Sequence, residues 1–482
     1  MNLINKAKSG IKWSALSQFS RQLVLITTTM ILANLLAPEH FGVFGMVTVI
    51  TGFAGIFRNL GTSAAVIQKQ VTSNELITTL LWVNIALGIT VSALITLSAP
   101  LIAYFFKEPQ VTSLLRIISL GFVASGCSVI NQALLEKEMR FKELSIAEMA
   151  STTLGALVGI TSAYYGEGVW ALVYQNLSMT VSLSISLWCI HPLKRFTPIS
   201  VSTLRPVMNF SLNLTGFNVV NYFIRNADNI LIGKFLGAEA LGLYSLAYRI
   251  MLYPLQSISM VLGRVMFPYF SKLQNDNEDF RKSYIRLIGA IALITFPMMG
   301  GIWVVAHDFV AVTFGEKWMP VTAILMILAP VGAMQSIVTT VGGIYQAKGR
   351  TDIMFRWGIS AGLVFLAGFA IGLKWDIVGV AWGYLLAFLV VFIPGLIIPY
   401  QIIKLKLIDA FRAVLRPLII TFFMVLTVYT VKKHLGSNIN PTAQLCMLIS
   451  LGATVYILLN IQFNKTQTAN FLRFLRNRNP NN

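Results

Sequence analysis

A stripe of polar side chains runs along one face of an apolar segment in the middle of the chain. Its members recur every three or four residues, which places them on one face of a helix. They are Ser211, Thr215, Asn218, Asn221, Arg225, Asp228 and Asn229. Guanidinium and amide groups in such a stripe can bind an anion and hydrogen-bond sugar hydroxyls. Polar residues also hold membrane helices together, which is the alternative interpretation for the amides.

A shorter stripe of the same kind lies near the start of the chain. It consists of Ser14, Gln18 and Arg21, with Gln22 beside them. At an offset of 200 residues, Gln18 aligns with Asn218 and Arg21 aligns with Asn221. We therefore expect two equivalent helices, each presenting a hydrogen-bonding face.

Five arginines lie inside apolar segments, where an Arg at mid-bilayer costs at least ~2.5–3.5 kcal/mol. Such residues are expected to face a water-filled cavity or a partner. With the amides of the two stripes they form the predicted substrate-binding set: Arg21, Arg225, Arg249, Gln18, Asn218, Asn221, Arg116 and Arg264.

Few acidic residues balance these arginines. Asp228 follows Arg225 by three residues and is interpreted either as its charge partner or as a coupling-ion or proton site. Glu148 is interpreted as an interfacial residue on the inner side. An excess of arginine favours an anionic substrate, and the planar guanidinium suits phosphate.

Composition places these stripes in a membrane protein. Hydrophobic residues make up 56% of the chain and charged residues 11%, and the mean hydropathy is +0.72. Residues 76–106 and 436–464 carry no charge, and about 20 apolar residues suffice to cross a bilayer as a helix. No phosphate-binding loop, nucleophile motif or metal-ligand spacing is evident, so the sequence predicts neither an enzyme nor a metal site.

The apolar segments predict an all-α polytopic protein with about fourteen spans in two pseudo-symmetric six-helix lobes. Residues 1–200 form the N-terminal lobe with spans 1–6, and residues 201–405 form the C-terminal lobe with spans 7–12. Residues 406–482 add a helix pair and a basic tail. The expected span limits are 10–35, 40–58, 78–106, 112–134, 144–165, 168–190, 207–233, 241–268, 284–305, 318–344, 354–373, 377–402, 414–431 and 441–463.

Lys and Arg residues set the expected orientation. With the N-terminus inside, 26 of the 37 fall in inner segments and 6 in outer loops. Cytoplasmic loops carry such an excess, so both termini are predicted to be cytoplasmic. The same rule accounts for the net charge of +19 without nucleic-acid binding.

Two internal sequence repeats indicate a duplicated transporter. Leu35–Phe44 reads LLAPEHFGVF and Phe235–Tyr244 reads FLGAEALGLY, each joining two apolar segments. Five further residues recur at an offset of 211, pairing Lys137, Ala156, Ile160, Gly168 and Val169 with Lys348, Ala367, Ile371, Gly379 and Val380. Repeats of this kind are typical of two-lobed transporters with a central substrate path.

Two stretches resemble a known family. SGIKWSALSQFSRQLVLITTTMILANLLAPEHFGVFGMV, at Ser9–Val47, and NQALLEKEMRFKELSIAEM, at Asn131–Met149, resemble the polysaccharide transporter branch of the multidrug/oligosaccharidyl-lipid/polysaccharide (MOP) exporter superfamily. Within it, the chain is most similar to colanic-acid and O-antigen-type flippases. The likeness covers nearly the whole chain and is strongest in residues 8–145.

The resemblance implies a V-shaped fold that moves an undecaprenyl-pyrophosphate-linked oligosaccharide to the periplasmic leaflet of the bacterial inner membrane. Spans 1, 2, 7 and 8 would line the cavity, which places Arg21, Arg225 and Arg249 beside the pyrophosphate and leaves Arg116 on span 4. Implied partners are the bilayer and polysaccharide assembly proteins. No cofactor is implied beyond coupling to a Na⁺ or H⁺ gradient.

Two other functions fit the sequence less well. A cation-coupled multidrug exporter of the same superfamily would need cavity carboxylates, whereas this chain has the opposite sign. A non-transporting scaffold would have no reason to keep five arginines in its spans.

Overall fold

The structure, a computed structural model, describes the backbone of residues 3–57, 66, 73–193, 205–435 and 439–464. Side chains are described for the same residues except 3–12, 15, 205–218, 220, 256–269, 271 and 272.

Fifteen α-helices occupy the described residues, with two three-residue 3₁₀ turns at Glu316–Trp318 and Leu373–Trp375. The helices are α1 Leu3–Leu35, α2 Pro38–Gly55, α3 Asn74–Phe106, α4 Gln110–Lys137, α5 Phe141–Tyr164, α6 Trp170–Ile190, α7 Arg205–Phe235, α8 Gly237–Lys272, α9 Asn277–Phe314, α10 Val321–Val338, α11 Val341–Ala347, α12 Thr351–Gly372, α13 Asp376–Ile402, α14 Leu407–His434 and α15 Pro441–Phe463.

Eight segments of the described chain are long and apolar enough to span a bilayer, and one of them, Thr351–Ile402, covers both α12 and α13. Their outward faces are apolar too. Leu97 is 76% exposed and Leu101 72% exposed, which water would disfavour and lipid favours. The prediction of an all-α polytopic membrane protein is confirmed. The count of fourteen spans, the lobe boundaries and the C-terminal pair remain predictions.

The chain divides into two compact units, Met1–Leu243 and Tyr244–Asn482. In the first unit, α1 packs along α5, α3 along α4, α5 along α6, and α2 against α7. In the second unit, α9 packs against α10 and α14, and α12 packs along α13.

Glycines set how closely several helices approach. A Cβ on Gly88 of α3 would lie 2.6 Å from the carbonyl oxygen of Phe122, and one on Gly126 of α4 would lie 2.6 Å from that of Asn84. These distances are shorter than contact, so each position tolerates only hydrogen. Small residues let membrane helices pack backbone to backbone, which replaces the hydrophobic drive that lipid removes.

The repeated motif of the sequence forms such a contact with its own copy. A Cβ on Gly42 of α2 would overlap the carbonyl oxygen of Ala238, and a Cβ on Gly242 of α8 would overlap that of Pro38. The two glycines are equivalent in the 200-residue repeat, so the contact is reciprocal. The first turns of α2 and α8 therefore cross at their glycines, and this crossing, the Gly42–Gly242 crossing, lies within the first unit.

Candidate functional site

Arg21 of α1 forms an ion pair with Glu148 of α5. Its Nη1 donates to the Oε2 of Glu148 at 2.8 Å, and the two side chains are 30% and 23% exposed. Both residues lie within helices that pack along each other. The pair therefore compensates a charge that would be costly in the bilayer alone.

Several polar atoms around this pair are buried without a partner in the described residues. They are the Oγ of Ser17, the Nε of Arg21 and the Nε2 of Gln22. Ser17 lies one turn before Arg21, and Gln22 is its neighbour. Gln18, which the sequence predicted as a binding residue, is half-buried. Thus α1 carries three buried hydrogen-bonding groups without a described partner within two turns around Arg21.

Arg225 of α7 contrasts with Arg21. It is exposed, and its guanidinium has no hydrogen-bond or ion-pair partner among the residues whose side chains are described. Asn221, one turn earlier, is exposed as well. The Asn221 and Arg225 side chains of the predicted stripe thus remain available to a ligand.

The neighbouring Tyr222 fixes α7 against α2. Its hydroxyl donates to the carbonyl oxygen of Val49 at 2.7 Å, and a Cβ on Gly52 would lie 2.5 Å from that hydroxyl oxygen. The Phe53 ring packs on Phe223 with centroids 5.1 Å apart. This contact sets the rotation of α7 about its axis, and so determines that Asn221 and Arg225 are exposed.

Asp228 is buried, with 3% of its surface exposed, and its Oδ1 accepts from the backbone N–H of Asn229 at 2.8 Å. No ion pair joins it to Arg225 in the described part of the chain, because the carboxylate turns inward while the guanidinium is exposed. The expected Arg225–Asp228 pair is therefore not formed in this structure. The coupling-ion role of Asp228 stays a prediction.

The remaining predicted residues are distributed more widely. Arg116 on α4 is exposed and belongs to the first unit, and Arg249 on α8 is exposed and belongs to the second. Asn218 and Arg264 lie outside the residues whose side chains are described. The described residues also contain no group of three or more His, Cys, Asp and Glu side chains that could hold a metal ion.

The pairing of Glu148 with Arg21 is the contact that sequence reasoning missed. Glu148 was expected as an interfacial residue on the inner side, and the structure adds that its carboxylate accepts from Arg21. A search for a counter-charge to each intramembrane arginine could have identified it.

An apolar cavity of about 850 Å³ lies within the second unit, between α9, α10, α13 and α14. Phe296, Leu389, Phe392, Tyr400 and Phe411 are among the residues that line it. Its chemistry differs from that of the first unit, where the charged side chains of α1 and α7 lie.

Comparisons with known proteins agree with this membrane architecture. Residues 31–323 match the family described as "Polysaccharide biosynthesis protein". The teichuronic acid biosynthesis protein TuaB of Bacillus subtilis (strain 168) is 30% identical, over 98% of this chain and 99% of TuaB.

Two solved structures share the fold. The lipid II flippase MurJ in an inward closed conformation gives a TM-score of 0.74 at 16% identity, covering 94% of this chain and 99% of MurJ. An inward-facing multidrug resistance MATE family transporter of the MOP superfamily gives 0.65 at 16% identity, covering 81% and 98%. The fold is thus common to a flippase and a drug transporter. The chain belongs to the polysaccharide biosynthesis protein family.

Proposed function

We propose that this protein is a flippase that moves an undecaprenyl-pyrophosphate-linked oligosaccharide from the cytoplasmic to the periplasmic leaflet of the bacterial inner membrane. The product would serve the synthesis of a surface polysaccharide: exopolysaccharide, capsule or O-antigen. The family membership supports the polysaccharide pathway, and TuaB is named for teichuronic acid biosynthesis. MurJ, whose fold is similar, is named a lipid II flippase.

The single observation that carries the proposal is the exposed guanidinium of Arg225 on a membrane-protein helix, which has no partner among the side chains that the structure describes. A cation left without a counter-charge favours an anionic ligand, and a pyrophosphate offers oxygens in the geometry that a guanidinium binds best. A lipophilic cation would be repelled from it. The positive charge of Arg225 favours the flippase over the drug exporter, whereas the shared fold is compatible with both.

In the proposed mechanism, Arg21 and Arg225 bind the pyrophosphate, and Gln18, Asn218 and Asn221 hydrogen-bond the glycan. The polyprenyl tail stays in the lipid. Arg249, Arg116 and Arg264 are further predicted contacts. Several moderate contacts suit transport better than one tight contact, because the ligand must also be released. Alternating access would expose the site to one leaflet at a time.

Flipping of a fluorescent lipid-linked oligosaccharide in proteoliposomes tests this function. We expect transport by the wild type, a loss of about 30- to 100-fold in Arg225→Ala, since a charge-assisted hydrogen-bonded contact contributes about 2–3 kcal/mol, and partial recovery in Arg225→Lys. Efflux of a lipophilic cation is the control. Unchanged flipping in Arg225→Ala, or strong cation efflux by the wild type, would contradict the proposal.

Coupling to a Na⁺ or H⁺ gradient is part of the proposal, with Asp228 as the candidate site. Asp228→Asn should then reach wild-type folded yield yet flip at a rate that no longer responds to an imposed gradient. Imposing Na⁺ and H⁺ gradients separately identifies the ion. A variant that keeps full gradient dependence removes Asp228 from the coupling.

Both termini are proposed to be cytoplasmic, from the Lys and Arg distribution. Single cysteines introduced in residues 194–205 and 404–416 should be protected from a membrane-impermeant reagent in intact cells, whereas cysteines at Lys107 and Lys432 should react. Reaction in residues 194–205 would reverse the orientation.

A further inference from the structure

The ion pair between Arg21 and Glu148 uses only part of what the guanidinium can donate. One contact is made, from Nη1 to Oε2 at 2.8 Å, while the Nε of Arg21 is buried without an acceptor in the described residues. A carboxylate that served only to hold an arginine would gain most from two parallel hydrogen bonds. With this single contact, the N–H of Nε has no acceptor among the described residues.

Two other hydrogen-bonding groups near Arg21 in the sequence also lack a partner. The Oγ of Ser17 and the Nε2 of Gln22 are buried and have no partner among the described side chains. A buried donor without an acceptor costs roughly 1–3 kcal/mol. Three such groups within about one turn of α1 would be satisfied together by a ligand that brings several acceptor oxygens and no donors. A phosphate group has this character.

The Glu148 carboxylate lies where a phosphate oxygen would lie, since it accepts the hydrogen bond from the Nη1 of Arg21. We propose that Glu148 is an internal counter-anion that occupies Arg21 until the pyrophosphate of the lipid-linked glycan displaces it. This inference rests on the proposed function and adds to it Glu148 as an affinity-setting residue and Ser17 and Gln22 as further donors to the anion.

The exchange explains how the site binds and then releases a multiply charged anion. When the pyrophosphate is absent, Glu148 returns to Arg21, so Arg21 is never an uncompensated charge in the membrane. When the pyrophosphate is present, it must compete with Glu148, which lowers its affinity and speeds its release. Glu148 touches no substrate in this scheme and acts through Arg21.

The test is binding of undecaprenyl pyrophosphate to the purified full-length protein in nanodiscs. We expect Glu148→Gln to bind about five- to tenfold more tightly, because a partly exposed ion pair that the pyrophosphate must break contributes on the order of 1 kcal/mol. In an Arg21→Gln background, adding Glu148→Gln should change the affinity by less than twofold. In flipping assays, Glu148→Gln should lower both KM and kcat, since release slows.

Glu143→Gln is the matched control, because Glu143 lies on the same helix and pairs with Arg140 instead; its affinity should equal the wild type's. If Glu148→Gln does not fold, Glu148→Asp, whose carboxylate is one methylene shorter, should still bind more tightly than the wild type. A folded Glu148 variant with unchanged or weaker binding overturns the inference. So does tightening that persists without Arg21. Failure of the wild type to bind the probe at all would instead overturn the proposed function.

Discussion

The two copies of the repeated segment share their packing and differ in their charges. At the Gly42–Gly242 crossing, each copy presents a glycine to the backbone of the other, and neither can carry a Cβ. About four turns before the end of each preceding helix, the two copies no longer carry the same charges. In α1, Arg21 is held by Glu148, whereas α7 has Asn221 at the aligned position and leaves Arg225 exposed.

This difference shows which features a duplicated membrane unit retains. Steric demands at a backbone contact admit only one residue type, so both copies keep it. Intramembrane charges can be accommodated in two ways, by a counter-charge or by exposure to water or a ligand. The first way stabilises the fold, and the second leaves a cation available for binding.

The largest expected effect comes from breaking the shared part. Gly42→Ala and Gly242→Ala should each destabilise the protein by about 3 kcal/mol or more, because the new methyl group overlaps backbone that cannot move independently. Thermal unfolding in detergent would measure this. Gly55→Ala on the same helix α2 is the control, since nothing lies within 4 Å of its added Cβ. Equal midpoints for Gly42→Ala and Gly55→Ala would contradict the crossing.

A smaller effect should separate the two arginines. Arg21→Gln should lower the folded yield and destabilise the protein by about 1–3 kcal/mol, because it leaves the Glu148 carboxylate partly buried without a partner. Arg225→Gln should change stability by less than about 0.5 kcal/mol, as surface substitutions do.

The double variant Arg21→Gln with Glu148→Gln sharpens this comparison. It should recover most of the stability lost in Arg21→Gln, since no uncompensated charge remains. Fluorescence-detected size-exclusion chromatography gives the folded yields of the wild type, Arg21→Gln, Arg225→Gln and the double variant. Equal losses in Arg21→Gln and Arg225→Gln would remove the distinction between a paired and an unpaired arginine.

The smallest effect concerns how α7 is oriented. Tyr222→Phe removes the hydrogen bond to the carbonyl oxygen of Val49 and should destabilise the protein by about 1 kcal/mol. It should also weaken flipping a few-fold, because α7 can then rotate and carry Arg225 with it. Tyr104→Phe is the control, since it makes the same change at a side chain that is 85% exposed on α3. A Tyr222→Phe variant with wild-type stability and flipping would show that the hydroxyl does not orient α7.

The sequence predicted the helices well where they are apolar and less well where they continue into polar residues. Span 1 was expected from residue 10 and span 9 from residue 284, whereas α1 begins at Leu3 and α9 at Asn277. Hydropathy detects only the part of a helix that lipid selects. At the start of α9, the carboxylate of Asp276 accepts from the backbone N–H of Glu278 and Asp279, so the helix extends beyond its apolar core.

The candidate site was predicted only in outline. The periodicity of α7 predicts that Asn221 and Arg225 share a face, because spacing determines angle on a helix, and both side chains are exposed in the structure. It could not show that Asp228 turns inward or that Arg21 meets Glu148. Those facts depend on how α1 and α7 are rotated against α5 and α2, which side-chain packing decides and a single sequence does not encode locally.

The Gly42–Gly242 crossing also has an electrostatic consequence. It brings together the N-terminal turns of α2 and α8, and each helix N-terminus carries about half a positive charge from its aligned peptide dipoles. Two such ends side by side repel each other. Glu39 lies in the first turn of α2 and Glu239 in the first turn of α8, so each terminus has its own anion. The Pro38–Gly42 and Ala238–Gly242 segments thus carry an acidic residue and a glycine in the same register, one to offset the dipoles and one to permit the approach.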